Sequence, residues 1–571
     1  MAPSERSLLS GRPSSENERD LAEEDALLTG ERQARMEPSP SKWKRWRELG
    51  LLVWAIIATA AVIIVAVIYQ YKTTEHSSGP APSGKRNLIF MVSDGMGPTS
   101  LSLTRSFRQY RDGLPYDETL VLDGHLIGQS RTRSTSSLVT DSAAGATAFG
   151  CGLKSYNGAI AVLPDHSPCG TVLEAAKKAG YMTGLVVTTR ITDATPACFA
   201  AHVNMRSEED RIAEQCHFLP NSTEGSCRAD DKDVLDMAKE KGFTYINDKA
   251  GFDALKLGSA VKLPLLGLLA DTDIPYEIDR RFEGDKYPSL QAMAETAMKA
   301  LSAATKDSDK GFFLMIEGSR IDHAGHANDP AAQVHEVLAY DKAFASVLDF
   351  LAKDTVQGVM VSTSDHETGG LATARQLHAT YPDYLWYPGV LANASHSAER
   401  LAFEYFQHRL SAPASDDLEA YLKDLVSQGL GIHDYSDEEI QSLVDTPALA
   451  PYTFAEMVSR RSQTGWSTHG HSAADVNIFA SNPKDAAPLV GNHENTEIGE
   501  FLRNYLDVDV EAITKELKEK GTSFDTTDAE GKTVSWMGSV PVEGERLDGQ
   551  DHLDHYQGDF RKHRRCEICN M

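Results

Sequence analysis

Basic residues are scarce in this chain relative to acidic ones. Its 571 residues include 56 Lys and Arg against 83 Asp and Glu, which gives a formal net charge of -27 at pH 7. Because binding a polyanion normally requires a basic face, this balance argues against nucleic acid as a partner. Small phosphate esters are not excluded, since bound divalent cations reverse the sign of the local field.

Cysteine is also sparse, and its count is odd. With seven cysteines, at least one thiol has no partner within the chain. In an oxidising compartment one or two disulfides are expected, and we predict that Cys169 pairs with Cys227 or Cys216. Cys566 and Cys569 lie two residues apart near the end of the chain. They are better explained by a local disulfide, or by no role, than by a redox motif.

One long segment lacks charged residues altogether. The run from Leu49 to Tyr69 is almost wholly apolar and is long enough to cross a bilayer. A buried core helix is rarely apolar on every face over such a length, and a cleaved signal peptide would lie at the extreme N-terminus. Four basic residues at 42–47 precede the run, whereas only Lys72 follows closely. The positive-inside rule therefore predicts a single-pass type II membrane protein whose later residues are lumenal or extracellular.

Two glycosylation sequons agree with that orientation. Asn221 and Asn393 each begin an Asn-x-Ser/Thr triplet, and both lie after the predicted membrane span. Each triplet alone is a weak signal, but together they predict a glycoprotein.

The composition divides the rest of the chain into segments. Residues 1–48 lack hydrophobic periodicity and predict a disordered cytosolic tail. Within it, Glu23–Leu28 resembles the acidic dileucine signals that sorting adaptors read, although an incidental leucine pair is as good an explanation. Residues 70–86 predict a flexible stalk. Residues 87–510 form the predicted catalytic domain, and residues 511–571 a polar C-terminal extension that is either partly ordered or trimmed.

The catalytic region alternates between apolar runs and amphipathic segments. Apolar runs that end in a polar residue predict a buried strand followed by a loop at 87–97, and the same pattern recurs at 183–189, 311–318 and 358–365. Amphipathic segments between them predict helices at 171–180, 289–302 and 331–353. We therefore predict an α/β fold with a mainly parallel central sheet flanked by helices on both faces. Ligands bind at the carboxyl ends of such strands, where Asp94, Glu317 and Asp365 fall.

The stretch from Thr140 to Ala148 supplies a candidate nucleophile. Asp141 and Ser142 precede a run of small residues, which lets a helix begin tightly packed against its neighbours. The N-terminus of such a helix favours both an alkoxide and a bound phosphate. The alternative is that Thr140 or Asp141 simply caps a buried helix.

Acids and imidazoles recur in three short strings farther along the chain. Asp322 and His326 are one helical turn apart, Asp365 and His366 are adjacent, and His469 and His471 flank one glycine. Each pair alone is a weak signal. Taken together, with no cysteine among them, they predict zinc at mixed nitrogen and oxygen sites and magnesium at an all-oxygen site.

In this order, the motifs resemble those of the alkaline phosphatase family, from about Asn87 to Leu506, and are most similar to the vacuolar type II membrane alkaline phosphatases of fungi. The resemblance implies that Ser142 becomes phosphoserine and that Arg206 clamps the phosphate. It implies a first zinc held by Asp322, His326 and His471, a second held by Asp94, Asp365 and His366, a magnesium held by Asp94, Thr195 and Glu317, and further groups near the substrate at Asp141, Asp193 and His323. It also implies a homodimer.

The expected reaction is hydrolysis of phosphate monoesters at alkaline pH, with broad substrate tolerance. Two cations about 4 Å apart can hold the attacking and leaving oxygens, so no general-base histidine beside Ser142 is required. The combination of Asp193 with His323 leaves the identity of the third metal open, and His469 matches no ligand. The alternatives are a phosphodiesterase, nucleotide pyrophosphatase or sulfatase on the same scaffold, or a catalytically silent metal-binding ectodomain.

Overall fold

A computed structural model describes residues 84–216, 233–411, 417–521, 525–527 and 533–541, with a few residues between Trp46 and Ala60. The chain divides into two units, residues 1–79 and 80–571, and the second is described below. Nearly all of the predicted cytosolic tail and most of the predicted membrane span lie outside the described residues, as do Asn221 and Cys227. Among the residues that are described, no helix is long and apolar enough to cross a membrane.

Strands and helices alternate along much of the second unit. The described strands are β1 (Arg86–Val92), β2 (Leu126–Arg131), β3 (Met182–Val186), β4 (Thr244–Ile246), β5 (Leu265–Gly267), β6 (Phe312–Glu317), β7 (Gln357–Thr363), β8 (Glu367–Thr368), β9 (His471–Ser472), β10 (Val476–Ala480), β11 (Gly491–Glu494), β12 (Thr526–Thr527) and β13 (Thr533–Val534). The described helices are α1 (Pro98–Asp112), α2 (Ser142–Cys151), α3 (Val172–Lys178), α4 (Ala194–Ala200), α5 (Glu209–Cys216), α6 (Val234–Glu240), α7 (Lys249–Ala254), α8 (Glu277–Arg280), α9 (Leu290–Ala304), α10 (Arg320–His326), α11 (Pro330–Lys353), α12 (Pro388–Asn393), α13 (Ala398–Ser411), α14 (Leu418–Leu430), α15 (Asp437–Asp445), α16 (Ala450–Ser462), α17 (Asn495–Leu506) and α18 (Val510–Lys520).

The central sheet has seven strands in the order β11-β2-β10-β7-β1-β6-β3. All four predicted strands are present, as the adjacent strands β7, β1, β6 and β3, and neighbours among them are parallel. The sheet is mixed, however, because β10 runs antiparallel to both β7 and β2. The α/β fold is therefore confirmed, with one reversed strand that the apolar pattern did not reveal.

Helices cover both faces of this sheet. Side chains along a strand point to alternate faces, and β1 shows this directly. Ile89 and Met91 belong to a core that includes residues of α9 and α11. Leu88, Phe90 and Val92 belong to a second core that includes residues of α3 and α17. Because β1 is buried on both faces, its residues are apolar without alternation, as parallel strands in α/β proteins usually are.

The carboxyl ends of three neighbouring strands meet at one edge. The final residue of β1, Val92, is in register with Glu317 of β6 and Thr363 of β7. Asp94 and Asp365 follow β1 and β7 by two residues, so the three predicted acids come together at this edge.

The disulfide prediction is wrong. Cys169 is bonded to Cys151, the last residue of α2, and not to Cys216 or Cys227. The backbone at Cys169 donates a hydrogen bond to Ala161, which folds the connecting segment back onto the end of α2. This local reversal brings together two cysteines only 18 residues apart, and the spacing of cysteines in the sequence does not encode it.

The helix that begins at Ser142 is held by close contact with α17. A methyl group added at Gly499 would lie 2.5 Å from the carbonyl oxygen of Ala148 in α2. The two helices can approach this closely only because residue 499 has no side chain. The contact with α17 therefore helps to fix the position of α2, and with it that of Ser142.

We therefore expect Gly499→Ala to force α17 away from α2 and to lower the free energy of unfolding by about 1 to 3 kcal/mol, as overpacking does. Urea unfolding would measure this change. Gly124→Ala is the matched control, because its methyl group would meet nothing within 4 Å. Equal losses in the two variants would contradict the packing argument.

Candidate active site

Ser142 is the first residue of α2. Asp141 caps the helix, since its carboxylate accepts a hydrogen bond from the backbone of Ala144 at 2.9 Å. The small residues that follow let the helix begin inside the protein, where Ser142 is only 4% exposed. Its Oγ lies 3.1 Å from Nε2 of His366, so the hydroxyl faces the acidic edge of the sheet.

Asp322, His326 and His471 lie together beside this hydroxyl. Asp322 and His326 are one turn apart on α10, with 3.2 Å between Oδ2 and Nε2. His471, in β9, places its Nε2 3.2 Å from His326 Nε2 and 3.6 Å from Asp322 Oδ1. Burial and the neighbouring His366 lower the pKa of His471 to about 3. Its imidazole is therefore neutral, which is the form that binds metals.

Asp94, Asp365 and His366 form a second cluster. Nε2 of His366 lies 3.2 Å from Oδ2 of Asp365 and 3.5 Å from Oδ1 of Asp94. The three ligand atoms are within 4.8 Å of one another, close enough to share one ion. The rings of His366 and His471 stack with 3.5 Å between their centroids, so the two clusters adjoin.

Glu317 and Thr195 provide oxygen atoms on the side of Asp94. Burial raises the pKa of Glu317 to about 8. The hydrogen bond that Glu317 accepts from Ser319 at 2.7 Å and an interaction with the Thr195 hydroxyl act in the opposite direction, because they lower this pKa. Burial and the charges of Asp365 and the other acids also raise the pKa of Asp94 well above its usual range. These carboxyls repel one another.

The buried acids are not compensated by hydrogen-bond donors alone. Within the described part of the chain, Oδ1 of Asp94 accepts no hydrogen bond. Ionised carboxyls at this depth require a nearby cation. The available atoms are imidazole nitrogen and carboxylate oxygen in two clusters, and oxygen alone around Glu317. The residues therefore fit divalent metal ions.

Arg206 presents its guanidinium between two acids. Nη2 donates to Asp193 at 2.8 Å, and Nη1 donates to Asp141 at 3.4 Å. Asp193 also caps α4, and Asp141 caps α2. The two predicted acids near the substrate therefore orient the guanidinium and tie it to the helix that carries Ser142. A guanidinium held in this way can bind two oxygens of a phosphate.

The sequence pattern that defines the alkaline phosphatases matches residues 85–227 and 217–508. The repressible alkaline phosphatase of Saccharomyces cerevisiae is 48% identical over 534 residues, which cover 86% of this chain and 94% of that protein. This chain belongs to the alkaline phosphatase family. It is accordingly an enzyme that hydrolyses phosphate monoesters, and the resemblance found in its motifs is confirmed.

Solved alkaline phosphatases share the fold. The cold-active enzyme of Shewanella sp. aligns with a TM-score of 0.62 at 32% identity, covering 74% of this chain and 99% of that one. A variant of the enzyme from the Antarctic bacterium TAB5, solved with Mg bound in its M3 site, aligns with a TM-score of 0.51 at 29% identity. That alignment covers 75% of this chain and 99% of the TAB5 chain.

His323 belongs to neither cluster. Its Nδ1 accepts a hydrogen bond from Arg320 at 3.2 Å and lies 3.8 Å from Asp273. Oδ1 of Asp273 also lies 3.6 Å from Nη1 of Arg190. Nη2 of Arg190 in turn lies 3.7 Å from Oδ2 of Asp193. These contacts link His323 to Asp193 through Asp273 and Arg190. The sequence patterns did not reveal these two residues, because they are far apart in sequence and belong to no motif.

His469 is not in either cluster. Its Nδ1 contacts the backbone oxygen of His326 at 2.8 Å, and the ring of Tyr452 lies 4.7 Å from its own. It therefore holds the loop that carries His471 against α10.

Thr368 is a residue of this site that sequence analysis missed. Its hydroxyl donates to Oδ1 of Asp322 and lies 3.2 Å from Nδ1 of His366. It thus contacts one residue of each cluster. The only sign of this role in the sequence is its place directly after Asp365-His366-Glu367, and threonine is too common a residue for that to indicate a role.

We expect Thr368→Val, which keeps the shape and removes the hydroxyl, to weaken the affinity for divalent metal ions about 10- to 100-fold, as loss of a ligand's hydrogen-bond partner does. Metal content after dialysis against graded chelator would measure this. Thr104→Val is the matched control, a buried hydroxyl without a hydrogen bond in the described part of the chain. Equal metal retention by both variants would show that Thr368 does not orient Asp322 and His366.

Proposed function

We propose that this phosphatase acts through a phosphoserine at Ser142, with broad tolerance for the alcohol part of the ester and an alkaline optimum. The observation that carries the proposal is the position of the Ser142 hydroxyl, at a helix N-terminus beside the two clusters of acids and imidazoles. Nε2 of His366, which faces the hydroxyl, also belongs to the second cluster. A serine, histidine and acid triad is therefore the wrong template.

We assign the metals as the motifs predict. Asp322, His326 and His471 would hold one zinc, Asp94, Asp365 and His366 a second, and Asp94, Thr195 and Glu317 a magnesium. When bound, these ions supply positive charge that lowers the pKa of the Ser142 hydroxyl and stabilises the leaving oxygen. The magnesium assignment is supported by the oxygen-only donor set and by the Mg in the M3 site of the TAB5 relative.

The protein's own residues bind and orient the ester. Arg206 binds two oxygens of the phosphate that do not react, and Asp141 and Asp193 hold its guanidinium in place. The Ser142 hydroxyl releases its proton to solvent, and its oxygen attacks phosphorus from the side opposite the alcohol. A bond from serine to phosphorus forms while the bond to the alcohol breaks, and the departing alkoxide takes up a proton from water. Water then cleaves the phosphoserine, which releases inorganic phosphate and restores the hydroxyl.

The competing enzyme classes are less well supported. Diesterases and sulfatases on this scaffold use threonine or a modified cysteine where this chain has Ser142, and they lack an equivalent of Arg206. A silent metal-binding ectodomain would leave both the buried serine and the arginine held by two acids without a role.

The proposal predicts that Ser142→Ala lowers turnover of p-nitrophenyl phosphate on the order of 1,000-fold or more, as expected for loss of a nucleophile. The full-length protein, loaded with zinc and magnesium, should give an acid-stable phosphoserine with labelled phosphate, and this label should be absent from the variant. Chelation should abolish activity in the unchanged protein. Ser102→Ala, an exposed serine on α1, is the control. Undiminished turnover in a folded Ser142→Ala protein would refute the mechanism.

We propose that the enzyme is a type II protein of the vacuolar membrane, with its catalytic domain in the lumen and its tail read by a sorting adaptor. The apolar run, the flanking charges and the sequons support this location. Changing both Leu27 and Leu28 to Ala should misroute the protein, as fluorescence microscopy would show. The control is the same change at Leu8 and Leu9, a leucine pair without the acidic cluster. Normal location of both variants would remove the adaptor from the proposal.

We propose that two chains form a homodimer. The family resemblance supports this proposal. Light scattering of the purified protein should give twice the mass of one chain, and the mass of one chain would contradict it.

A further inference from the structure

The loop that carries Arg206 is covered by residues from the far end of the chain. Arg206 lies between α4 and α5, and the segment Ser535–Ser539 packs against this connection. We call this segment the C-terminal strap. It follows β13 and contains a turn in which the backbone of Gly538 donates to Ser535 at 3.0 Å.

Four consecutive carbonyl oxygens of the strap accept hydrogen bonds from the region around Arg206. Two of the donors belong to Asn204, whose backbone bonds Met537 at 2.8 Å and whose side chain bonds Gly538 at 3.2 Å. The other two donors lie on α5. They are the Arg211 guanidinium, which bonds Ser535 at 3.1 Å, and the Gln215 amide, which bonds Trp536 at 3.0 Å.

A fifth hydrogen bond runs in the opposite direction. The backbone of Ser539 donates to Oε1 of Glu208 at 2.8 Å. The strap is therefore attached at Asn204 and Glu208, two residues before and two residues after Arg206. Asn204 is only 1% exposed, so the cost of leaving its amide without a partner is high.

The apolar side of the strap supports the same loop. Met537 packs on a cluster that includes Tyr156 and Met205, the residue before Arg206. The backbone of Arg206 donates to Gly158 at 2.8 Å, and the backbone of Gly158 donates to Asp141 at 2.9 Å. The strap thus holds the loop against the residues that orient the Arg206 guanidinium.

We propose that the C-terminal strap is a positioning element for the guanidinium of Arg206, and so determines how tightly the enzyme binds a phosphate group. This inference rests on the proposed role of Arg206 as the phosphate clamp. Displacing the strap moves the loop at both attachment points, and a displacement of about 1 Å at a binding group can cost about 100-fold in rate.

Gly538 offers a sharp test of this role. Its φ is +78°, which favours glycine, and a methyl group there would lie 2.1 Å from a carboxylate oxygen of Glu208. Gly538→Ala therefore displaces the Glu208 carboxylate that accepts the hydrogen bond from Ser539, and it strains the backbone of the turn. Gly242→Ala is the matched control, because Gly242 has a φ of +87° but its methyl group would meet nothing within 4 Å.

The experiment is a double-mutant cycle in the full-length, metal-loaded enzyme. We measure the inhibition constant of inorganic phosphate and kcat/KM for p-nitrophenyl phosphate in the unchanged protein, Gly538→Ala, Arg206→Ala and the double variant. We expect Gly538→Ala to weaken phosphate binding about 10-fold, a fraction of the loss from a full 1 Å misplacement. In the Arg206→Ala background it should have no further effect, because no guanidinium is left to position.

Each outcome decides between defined alternatives. Three results would overturn the role of the strap. Gly538→Ala could leave phosphate binding unchanged, or it could weaken binding equally with and without Arg206. The third such result is that Gly242→Ala weakens phosphate binding as much as Gly538→Ala does. If Arg206→Ala itself leaves phosphate binding unchanged, the proposed clamp fails instead. Should Gly538→Ala not fold, Asn204→Asp enters the same cycle. It keeps the side chain's shape but places a carboxylate against the Gly538 carbonyl, and the same outcomes then apply.

Discussion

The mutual repulsion of buried acids at one edge of the sheet is the constraint on which the site depends. Asp94, Glu317 and Asp365 follow or end three neighbouring strands, and Asp322 faces them from α10. Burial removes the water that would screen their charges, and the pKa values of Asp94 and Glu317 rise as a result. The fold overcomes this cost only where positive charge is supplied, which explains why imidazoles and divalent metal ions belong at this edge.

Helix ends arrange Ser142 and Arg206, the proposed nucleophile and phosphate clamp, around the same edge. Asp141 caps α2 and Asp193 caps α4, and both carboxylates also hold Arg206. The same two carboxylates thus cap the two helices and orient the guanidinium. Because Ser142 begins α2, the position of Arg206 relative to Ser142 follows from where the two helices start.

The motif residues were predictable because local sequence places them. Asp94 and Asp365 follow apolar runs by a fixed distance, and parallel strands bring their carboxyl ends to one edge. The reversed strand β10 was not predictable in this way. Its five residues pair with β7 and β2 on either side, and nothing local states which strands will be its neighbours. The prediction of the disulfide partner of Cys169 was wrong for the same reason. A chain reversal near Ala161 determines which cysteine lies beside Cys169.

By itself, the sequence determined the family, the fold class and which kinds of side chain lie at the site, because these depend on residue identity and on short spacings along the chain. Only the tertiary structure decided which groups support them. Thr368 contacts Asp322 across 46 residues, and Met537 bonds Asn204 from the far end of the chain. Such contacts depend on how helices and loops pack in three dimensions, and packing is a property of the whole chain rather than of any local pattern.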